Sequence, residues 1–534
     1  MRRTLPGVFV VFAIALLWFS HYPATAQVSG TLDTTLLPFD RPPRATLALG
    51  RKVLAHWHAL PFRYYSGVDY PPDGWADWLK PTGFGNQYIN WGGYVRNRPL
   101  LLSPPAAQNY SDYVQDMLLD VTLAAEIGID AFMMNFWYYP GSNVDEWRWD
   151  AQMIAMFDAA DSYSSQNTPG FSIAPNIDAA VIKQLDPACA NPVPACTSLT
   201  PESFADAVAL LKLRPSFMKV GATYVVGVFA MERLPLQWYQ AFVNRLATVH
   251  GMSVYLLGHF LDPTTRAAYT SVMQGYSRWD IVPYPWIGSE IAERIWATSQ
   301  TPPLSFGSSV GQSFDVPSFL TTGESGGFQT LVGMWTRAIA EADWVQIITW
   351  NDHGEGTNLR PNTASQYAYY DLTAYYVAWF KTGAPPTITR DVLYYSHRML
   401  RSTASYDPNK QFNSADPPQE GPIGSQNEIP FDDKVFLFGF LTNGGTLQIK
   451  SGGTWYSQVF GAGAHMMSAP FAENDQPQFK LTVSGVDTID FLSAFHTRSG
   501  TGIIWQDFLY RAGSSSRPAV TAVQDDLPQD RTSP

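Results

Sequence analysis

The sequence predicts an α/β protein, a (β/α)8 TIM barrel followed by a C-terminal antiparallel β-sandwich. Three observations carry that expectation. From Val53 to about Pro385 short apolar runs alternate with longer helical stretches, the pattern of repeated βα units round a parallel sheet. The units occupy about 340 residues, inside the range of roughly 200 to more than 400 that such barrels span. Past Thr387 the pattern changes to short alternating runs separated by Gly turns, Asn443-Gly444-Gly445 and Gly452-Gly453, as in a sandwich.

The elements follow in order. Arg2 and Arg3, an apolar run from Val8 to Phe19 and the small-x-small triplet Ala24-Thr25-Ala26 have the layout of a secretory signal peptide, with Gln27 as the first mature residue. The run falls short of the roughly 20 residues of a spanning helix. No later stretch reaches that length without a charge or a Pro, so a secreted chain (extracellular or periplasmic) with no membrane anchor is expected. A Pro-containing lead-in covers 27–47. Eight candidate strands come next: Val53–Trp57, Ala131–Phe136, Phe171–Ile177, Tyr224–Ala230, Val254–His259, Asp280–Tyr284, Leu304–Phe306 and Trp344–Trp350. Among the helices, Ser111–Ile127 carries an apolar face through Val114, Met117, Leu118 and Val121 and stops at Gly128. Ser203–Leu213, Pro235–His250 and Phe328–Ala342 behave alike. No Gly-x-Gly-x-x-Gly follows an early strand, which leaves an open dinucleotide-binding sheet without support.

A Pro, Asp, Asn and Gln-rich stretch from Tyr406 to Pro430 reads as a long loop. Strand-like runs follow at Val435–Leu441, Thr446–Ser451, Trp455–Phe460, Phe479–Val483 and Thr488–Ala494. The expected divisions are a signal peptide over 1–26, a lead-in over 27–47, the catalytic barrel over 48–386, a linker and the start of the C-terminal region over 387–430, the β-sandwich over 431–513 and a disordered tail over 514–534.

Composition narrows the chemistry. The 534 residues carry a net charge of −12, which becomes −14 once Arg2 and Arg3 leave with the leader. Nucleic acid and anionic membranes would be repelled. Aromatic residues make up 14% of the chain, more than a core usually requires, and their faces suit sugar rings. Cys189 and Cys196 flank a Pro-rich loop, which suits a short disulfide in an oxidising compartment.

Reacting groups in a barrel come from the C-terminal ends of the strands. The last strand runs into Asn351-Asp352-His353-Gly354-Glu355-Gly356-Thr357-Asn358, with two carboxylates three residues apart. Glycosidic cleavage needs such a pair, one protonated to assist the leaving oxygen and one ionised to activate water or attack carbon. Asp352 and Glu355 are therefore the candidate catalytic residues, and Gly354 and Gly356 would let the loop turn both inward. The bland alternative is a loop tip whose acids hold a turn in solvent.

Other strand ends point into the same cleft. Asn135, Trp137 and Tyr138 follow the second strand, Asn176 and Asp178 the third, and Glu232 the fourth. His259 and Asp262 follow the fifth, and Tyr284 and Trp286 the sixth. His56 and His58 lie on the first strand and are read as alternating, so that one of them faces the interior. With Trp350, Asn351 and His353, the residues His56, Asn135, Trp137, Tyr138, Asp178, His259, Tyr284 and Trp286 are the expected substrate contacts. Core packing is the competing explanation for each aromatic. No His-Glu-x-x-His or comparable ligand spacing occurs, so a metal site is not expected. Gly-x-Ser-x-Gly is absent as well, and Gly307-Ser308-Ser309-Val310-Gly311 lacks the Lys of a phosphate loop.

At Trp350-Asn351-Asp352-His353-Gly354-Glu355 the chain resembles glycoside hydrolase family 71, the endo-α-1,3-glucanases or mutanases. Supporting stretches are Val53-Leu54-Ala55-His56, the helix end Ala124-Ala125-Glu126-Ile127-Gly128-Ile129-Asp130-Ala131-Phe132, and Asn135. The resemblance implies a barrel with a β-sandwich, inverting hydrolysis of α-1,3-glucan, no cofactor, and catalytic carboxylates at Asp352 and Glu355. Fungal members typically read Trp-Asn-Asp-Tyr-Gly-Glu-Ser, where this chain has His353 and Gly356. The tail Gly354-Glu355-Gly356-Thr357 is similar instead to family 99, retaining endo-α-mannosidases that read Trp-Asn-Glu-Trp-Gly-Glu-Gly-Thr. The expectation is thus a secreted α-glucan hydrolase with Glu355 as acid and Asp352 as base. A retaining mannosidase-like enzyme, a carbohydrate-binding protein without catalysis and a metal-dependent hydrolase stand as alternatives.

Overall fold

In the computed structural model the described residues are 33–58, 100, 110–136, 146–191, 195–282, 287–316, 321–404, 424–425, 431–499 and 508–517. Eight parallel strands form a closed barrel: β1 (Lys52–Trp57), β2 (Ala131–Phe136), β3 (Ser172–Asp178), β4 (Thr223–Phe229), β5 (Val254–Phe260), β6 (Gly275–Arg278), β7 (Ser305–Val310) and β8 (Trp344–Ile347). The order β3-β2-β1-β8-β7-β6-β5-β4 is closed by pairing of β3 with β4. Around it lie α1 (Tyr110–Glu126), α2 (Glu146–Gln166), α3 (Ala179–Leu185), α4 (Pro201–Leu210), α5 (Leu236–His250), α6 (Ile291–Thr298), α7 (Gln329–Glu341) and α8 (Ala368–Thr382). Strands buried on both faces need continuous apolar sequence, and β2, Ala-Phe-Met-Met-Asn-Phe, is buried throughout. Gly128 ends the turn after α1 at φ +91°, a conformation that favours glycine.

Two barrel strands differ from expectation. The sixth is Gly275–Arg278 and not Asp280–Tyr284. The apolar pair Ile281 and Val282 lies beyond the strand end, whereas the true strand, Gly-Tyr-Ser-Arg, offers only one large apolar side chain. The seventh extends from Ser305 to Val310 and takes in the Gly and Ser residues read as a loop. There Gly307 is small because Trp344 fills the space beside it, a Cβ at that position meeting the indole ring at 2.4 Å. Ser308 faces outward and donates to Glu290 at 2.5 Å, alongside the buried ion pair of Glu290 with Arg337. The eighth strand stops at Ile347, short of Trp350, although the Trp350 N–H still reaches the His56 carbonyl at 2.8 Å.

The C-terminal region is a sandwich of two antiparallel sheets. One has the order β13-β10-β9-β16, from β9 (Val392–His397), β10 (Lys434–Leu441), β13 (Gly463–Pro470) and β16 (Arg511–Ser514). The other has the order β12-β11-β14-β15, from β11 (Gly445–Ser451), β12 (Thr454–Phe460), β14 (Gln478–Val483) and β15 (Val486–Leu492). Leu393, Tyr395, Leu437, Leu447, Ile449, Phe479 and Leu481 fill the space between them. Cys189 and Cys196 form a disulfide with Cα atoms 4.5 Å apart. Among the described residues no helix is long and apolar enough to cross a membrane.

Two buried ionic clusters tie sandwich to barrel. Glu324, in the segment between β7 and α7, accepts from Arg398 at 2.6 Å, from the Tyr510 hydroxyl at 2.8 Å and from the backbone N–H groups of Asp432 and Gly326 at 2.9 and 2.7 Å. Burial would raise its carboxyl, but Arg398 and these donors outweigh that and hold it below the usual glutamate value. Asp371 on α8 accepts two bonds from Arg517, both at 2.8 Å, and one from Tyr394 at 3.2 Å. Removing one partner of such a pair strands the other charge away from water. Glu324→Ala is expected to cost about 3 to 5 kcal/mol of stability, read as a fall in the denaturation midpoint of the full chain; a change under about 1 kcal/mol would show the cluster to be solvated in solution.

Candidate active site

The barrel interior is layered by the two-residue period of its strands. Leu54, Met133, Ala174, Val225, Leu257 and Trp344 make an apolar plug. Two residues further along the same faces stand His56, Asn135, Asn176, Gly227, His259 and Gln346, and this layer is polar. The Asn135 carbonyl oxygen accepts from the Asn176 amide at 3.0 Å, and His259 Nδ1 lies 2.6 Å from the Ser277 hydroxyl. Burial pushes the His259 imidazole down to about 3. Burial, with His58 and His259 nearby, likewise holds His56 well below its ordinary value. Both rings are neutral at physiological pH. Gly227 makes room for Asn176, since a Cβ there would meet its Oδ1 at 2.3 Å. Gly227→Ala is expected to destabilise by about 1 to 3 kcal/mol through overpacking, measured as a shift in the urea midpoint.

Above this layer two aromatics lie across the mouth. Trp279 packs edge-to-face on Phe229 and on His56, both at 4.6 Å between ring centroids, and both aromatic side chains remain partly exposed. They form an apolar floor on which a sugar ring can lie.

The acidic loop closes the site from the β8 side. Asn351 clamps the end of β1: its Oδ1 accepts the His58 N–H at 2.7 Å and its amide donates to the His58 carbonyl at 3.0 Å. The Asp352 N–H donates to Thr349 Oγ1 at 2.9 Å, and Asp352 Oδ1 accepts the Glu355 N–H at 2.9 Å. Its Oδ2 lies 3.9 Å from His58 Nδ1. Gly356 takes φ +64°, the conformation that turns the chain back, so that the Thr357 N–H reaches the Asp352 carbonyl at 3.2 Å. The loop after β7 braces the turn from outside: Asp315 N–H donates to the Glu355 carbonyl at 2.8 Å and Ser313 to that of Gly356 at 2.6 Å. Burial, and then the Asp352 carboxylate beside it, push the Glu355 carboxyl up to about 8. A carboxylic acid that keeps its proton near neutrality beside a second carboxyl group is the arrangement a glycosidase requires.

The expected contacts separate into groups. Asn351, Asp352, His353 and Glu355 share the loop, and His56, Asn135 and His259 share the interior layer. Trp350 is not in the cleft; its ring is wholly buried, 5.4 Å from Phe132 and 6.4 Å from Tyr370, because the chain has turned outward after β8. Asp178 caps α3, accepting the Val181 N–H at 3.0 Å. Trp137, Tyr138, Tyr284 and Trp286 lie outside the described residues. The reading of His56 and His58 as opposed is corrected, since residues two apart share a strand face. His56 enters the interior, and His58, just past the strand, stands at the rim beside Asp352. Three residues were given no site role in the sequence: His58 (named only for its alternation with His56), Phe229 and Trp279. The last two continue the faces of Gly227 and Ser277, and counting by twos along β4 and β6 would have found them.

Asp186, Cys189 and Cys196 are the described residues whose ligand atoms cluster as for a metal, but both sulfurs are in the disulfide. The carboxylate takes the N–H groups of Thr197, Ser198 and Leu199 at 2.7 to 3.2 Å.

Residues 325–499, which include both carboxylates of the loop, match a family profile described as Glycosyl hydrolase family 71. The likeness is to glycosyl hydrolase family 71. A curated protein points the same way: the "Ascus wall endo-1,3-alpha-glucanase" of Schizosaccharomyces pombe is 25% identical over 269 residues, 47% of this chain. The matched region spans only 55% of that relative's length. Among solved structures, the family 99 endo-alpha-mannosidase of Bacteroides thetaiotaomicron is similar at 13% identity and a TM-score of 0.44, over 61% of this chain and 97% of that one. A beta-glucuronidase of Bacteroides uniformis follows at 11% identity and 0.37, over 74% and 44%. The family 71 match covers β8, the acidic loop with Asp352 and Glu355, α8 and most of the sandwich strands.

Proposed function

We propose that the protein is a secreted glycoside hydrolase that cleaves α-1,3-glucan internally with inversion of configuration, Glu355 acting as general acid and Asp352 as general base. The reading rests above all on the raised Glu355 carboxyl beside Asp352 on a braced loop at the barrel mouth. The protonated Glu355 delivers its proton to the glycosidic oxygen as the bond to the anomeric carbon breaks. Asp352 takes a proton from a water that attacks the opposite face of that carbon. Phe229 and Trp279 offer the sugar an apolar face, and Asn351, His353 and the polar layer beneath supply hydrogen-bonding groups. The family 71 likeness and the named activity of the yeast relative support the substrate. The leader over 1–26, the catalytic unit over 48–386 and the sandwich over 431–513 complete the assignment, with the mature chain acting outside the cell.

The test is to incubate the mature protein with α-1,3-glucan, α-1,6-mannan and starch, following reducing ends and the first-formed anomer by proton NMR. Oligosaccharides that appear as β-anomers from α-1,3-glucan are expected. α-Anomers from mannan would replace this reading with a retaining mannosidase, and binding to glucan without new reducing ends would replace it with a lectin-like role. Because two carboxyl groups carry both proton transfers, EDTA treatment is expected to leave the rate unchanged; loss of activity restored by a divalent ion would refute a metal-free mechanism.

A further inference from the structure

The sheet β12-β11-β14-β15 turns one face to the sandwich core, through Leu447, Ile449, Phe479 and Leu481, and the other to solvent. Side chains alternate along a strand, so Trp455, Ser457 and Val459 of β12 share the outer face with their partners Lys450, Gln448 and Thr446 of β11. Trp455 is 39% exposed and Val459 77%. A Trp ring offers a broad apolar plane, here bordered by amide and hydroxyl groups. The face is also electrically neutral. Lys480 of β14 donates to Asp487 at 2.8 Å and lies 3.0 Å from Asp490, both on β15, and Lys450 makes two cations against two anions. The whole chain, by contrast, carries −12. A charged partner finds little to complement on such a patch, whereas a neutral polyhydroxylated one meets both its apolar and its hydrogen-bonding needs. The ring is held in place as well: the Lys480 ammonium lies 5.2 Å from its centroid, so the indole leans from β12 across β11. A side chain ordered beforehand loses less freedom on binding. The patch measures about 13 Å from Trp455 to Val459 and about 14 Å across the four strands, enough for several sugar units.

We propose that this outer face binds the glucan polymer at a second site, away from the barrel mouth, with Trp455 stacked on a sugar ring and Gln448 and Ser457 bonding to hydroxyl groups. The identity of the polymer rests on the hydrolase reading; the site itself rests on the sandwich. The Glu324 and Asp371 clusters fix sandwich to barrel, so a polymer held on the outer sheet stays at a set distance from the cleft of the same molecule. Two attachments to one polymer raise its effective concentration at the cleft, a gain that fragments too short to reach both sites do not receive.

The experiment measures retention on insoluble α-1,3-glucan by co-sedimentation, using the full mature chain with Glu355→Gln so that the polymer is not consumed. Trp455→Ala and Trp455→Phe are added to that background, with circular dichroism confirming each fold. Trp455→Ala is expected to weaken retention about 5- to 10-fold, the loss typical of truncating an aromatic anchor, and Trp455→Phe, which keeps an aromatic face, to recover most of it. In the active chain, Trp455→Ala should slow release of sugar from insoluble glucan about threefold or more. Its kcat/KM on a soluble α-1,3-linked pentasaccharide should stay within about twofold of the wild type. Unchanged retention in Trp455→Ala, equal losses on polymer and pentasaccharide, or a wild-type dimer that Trp455→Ala dissociates while retention holds would overturn the inference and leave the hydrolase reading standing. A wild-type chain that binds glucan through Trp455 and cleaves neither substrate would overturn the hydrolase reading alone. A chain that neither binds nor cleaves glucan would overturn both.

Discussion

Glu355→Gln is expected to lower kcat on α-1,3-glucan by about a thousandfold or more, because an amide cannot deliver the proton that the departing oxygen needs. The loss should shrink on an aryl glycoside, whose leaving group departs without protonation. The wild-type rate should fall as the pH rises through about 8, where Glu355 gives up its proton; a rate that stays flat from pH 7 to 10 would remove Glu355 from the acid role. The same residue bears on stability with a definite sign. Its carboxyl titrates near 4.5 in the unfolded chain and about 8 in the folded one. Between those values the unfolded state releases its proton first, so rising pH weakens the fold. Glu355→Gln should therefore melt above the wild type at pH 8, and the two should converge below pH 4.5. An inactive variant that is more stable in alkali would separate lost chemistry from lost folding.

Asp352→Asn should abolish hydrolysis to a similar degree with a different signature. Glu355 still protonates the leaving oxygen, and the missing step is removal of the water's proton. Azide, which attacks without losing a proton, should restore turnover in this variant and yield a β-glycosyl azide, the inverted product. Mass spectrometry and NMR of the products identify it. No azide product, or the α-azide, would contradict the base assignment. Because Asp352 Oδ1 also holds the Glu355 N–H, an Asn side chain whose oxygen takes that place keeps the loop shape, whereas Asp352→Ala should also loosen the turn.

The barrel was legible in the sequence because strands buried on both faces leave continuous apolar runs, as at Ala131–Phe136. It was least legible where packing reverses that rule. Gly275–Arg278 is nearly polar because Gly275 lies against Leu257 and Ser277 serves His259. Gly307 yields its volume to Trp344. In the sandwich, Gly463–Pro470 carries Met and Ala and no β-branched residue, and Val392–His397 lies within the stretch expected as linker. The polar run after β8 set Asp352 and Glu355 on one loop, since two acids among glycines at a strand end fit a cleft as well as a turn. Composition could not tell Trp350, a core residue, from Trp279, a cleft residue, because the difference lies in the direction of a side chain.

The last described strand, Arg511–Ser514, pairs with Val392–His397, the first strand the chain builds after leaving the barrel, and Arg517 then returns to Asp371 on α8. The polypeptide thus departs from the barrel, completes the sandwich and comes back to fasten itself where it left. Phe438 and Phe440 belong to the same hydrophobic cluster as Phe328, Tyr369 and Tyr375 of the barrel side. A genetic exchange that joined this barrel to another C-terminal module would leave Glu324 and Asp371 as buried anions without counter-ions and bare an aromatic face. An exchange that kept the acidic loop at the barrel mouth intact would therefore have to carry barrel and sandwich together.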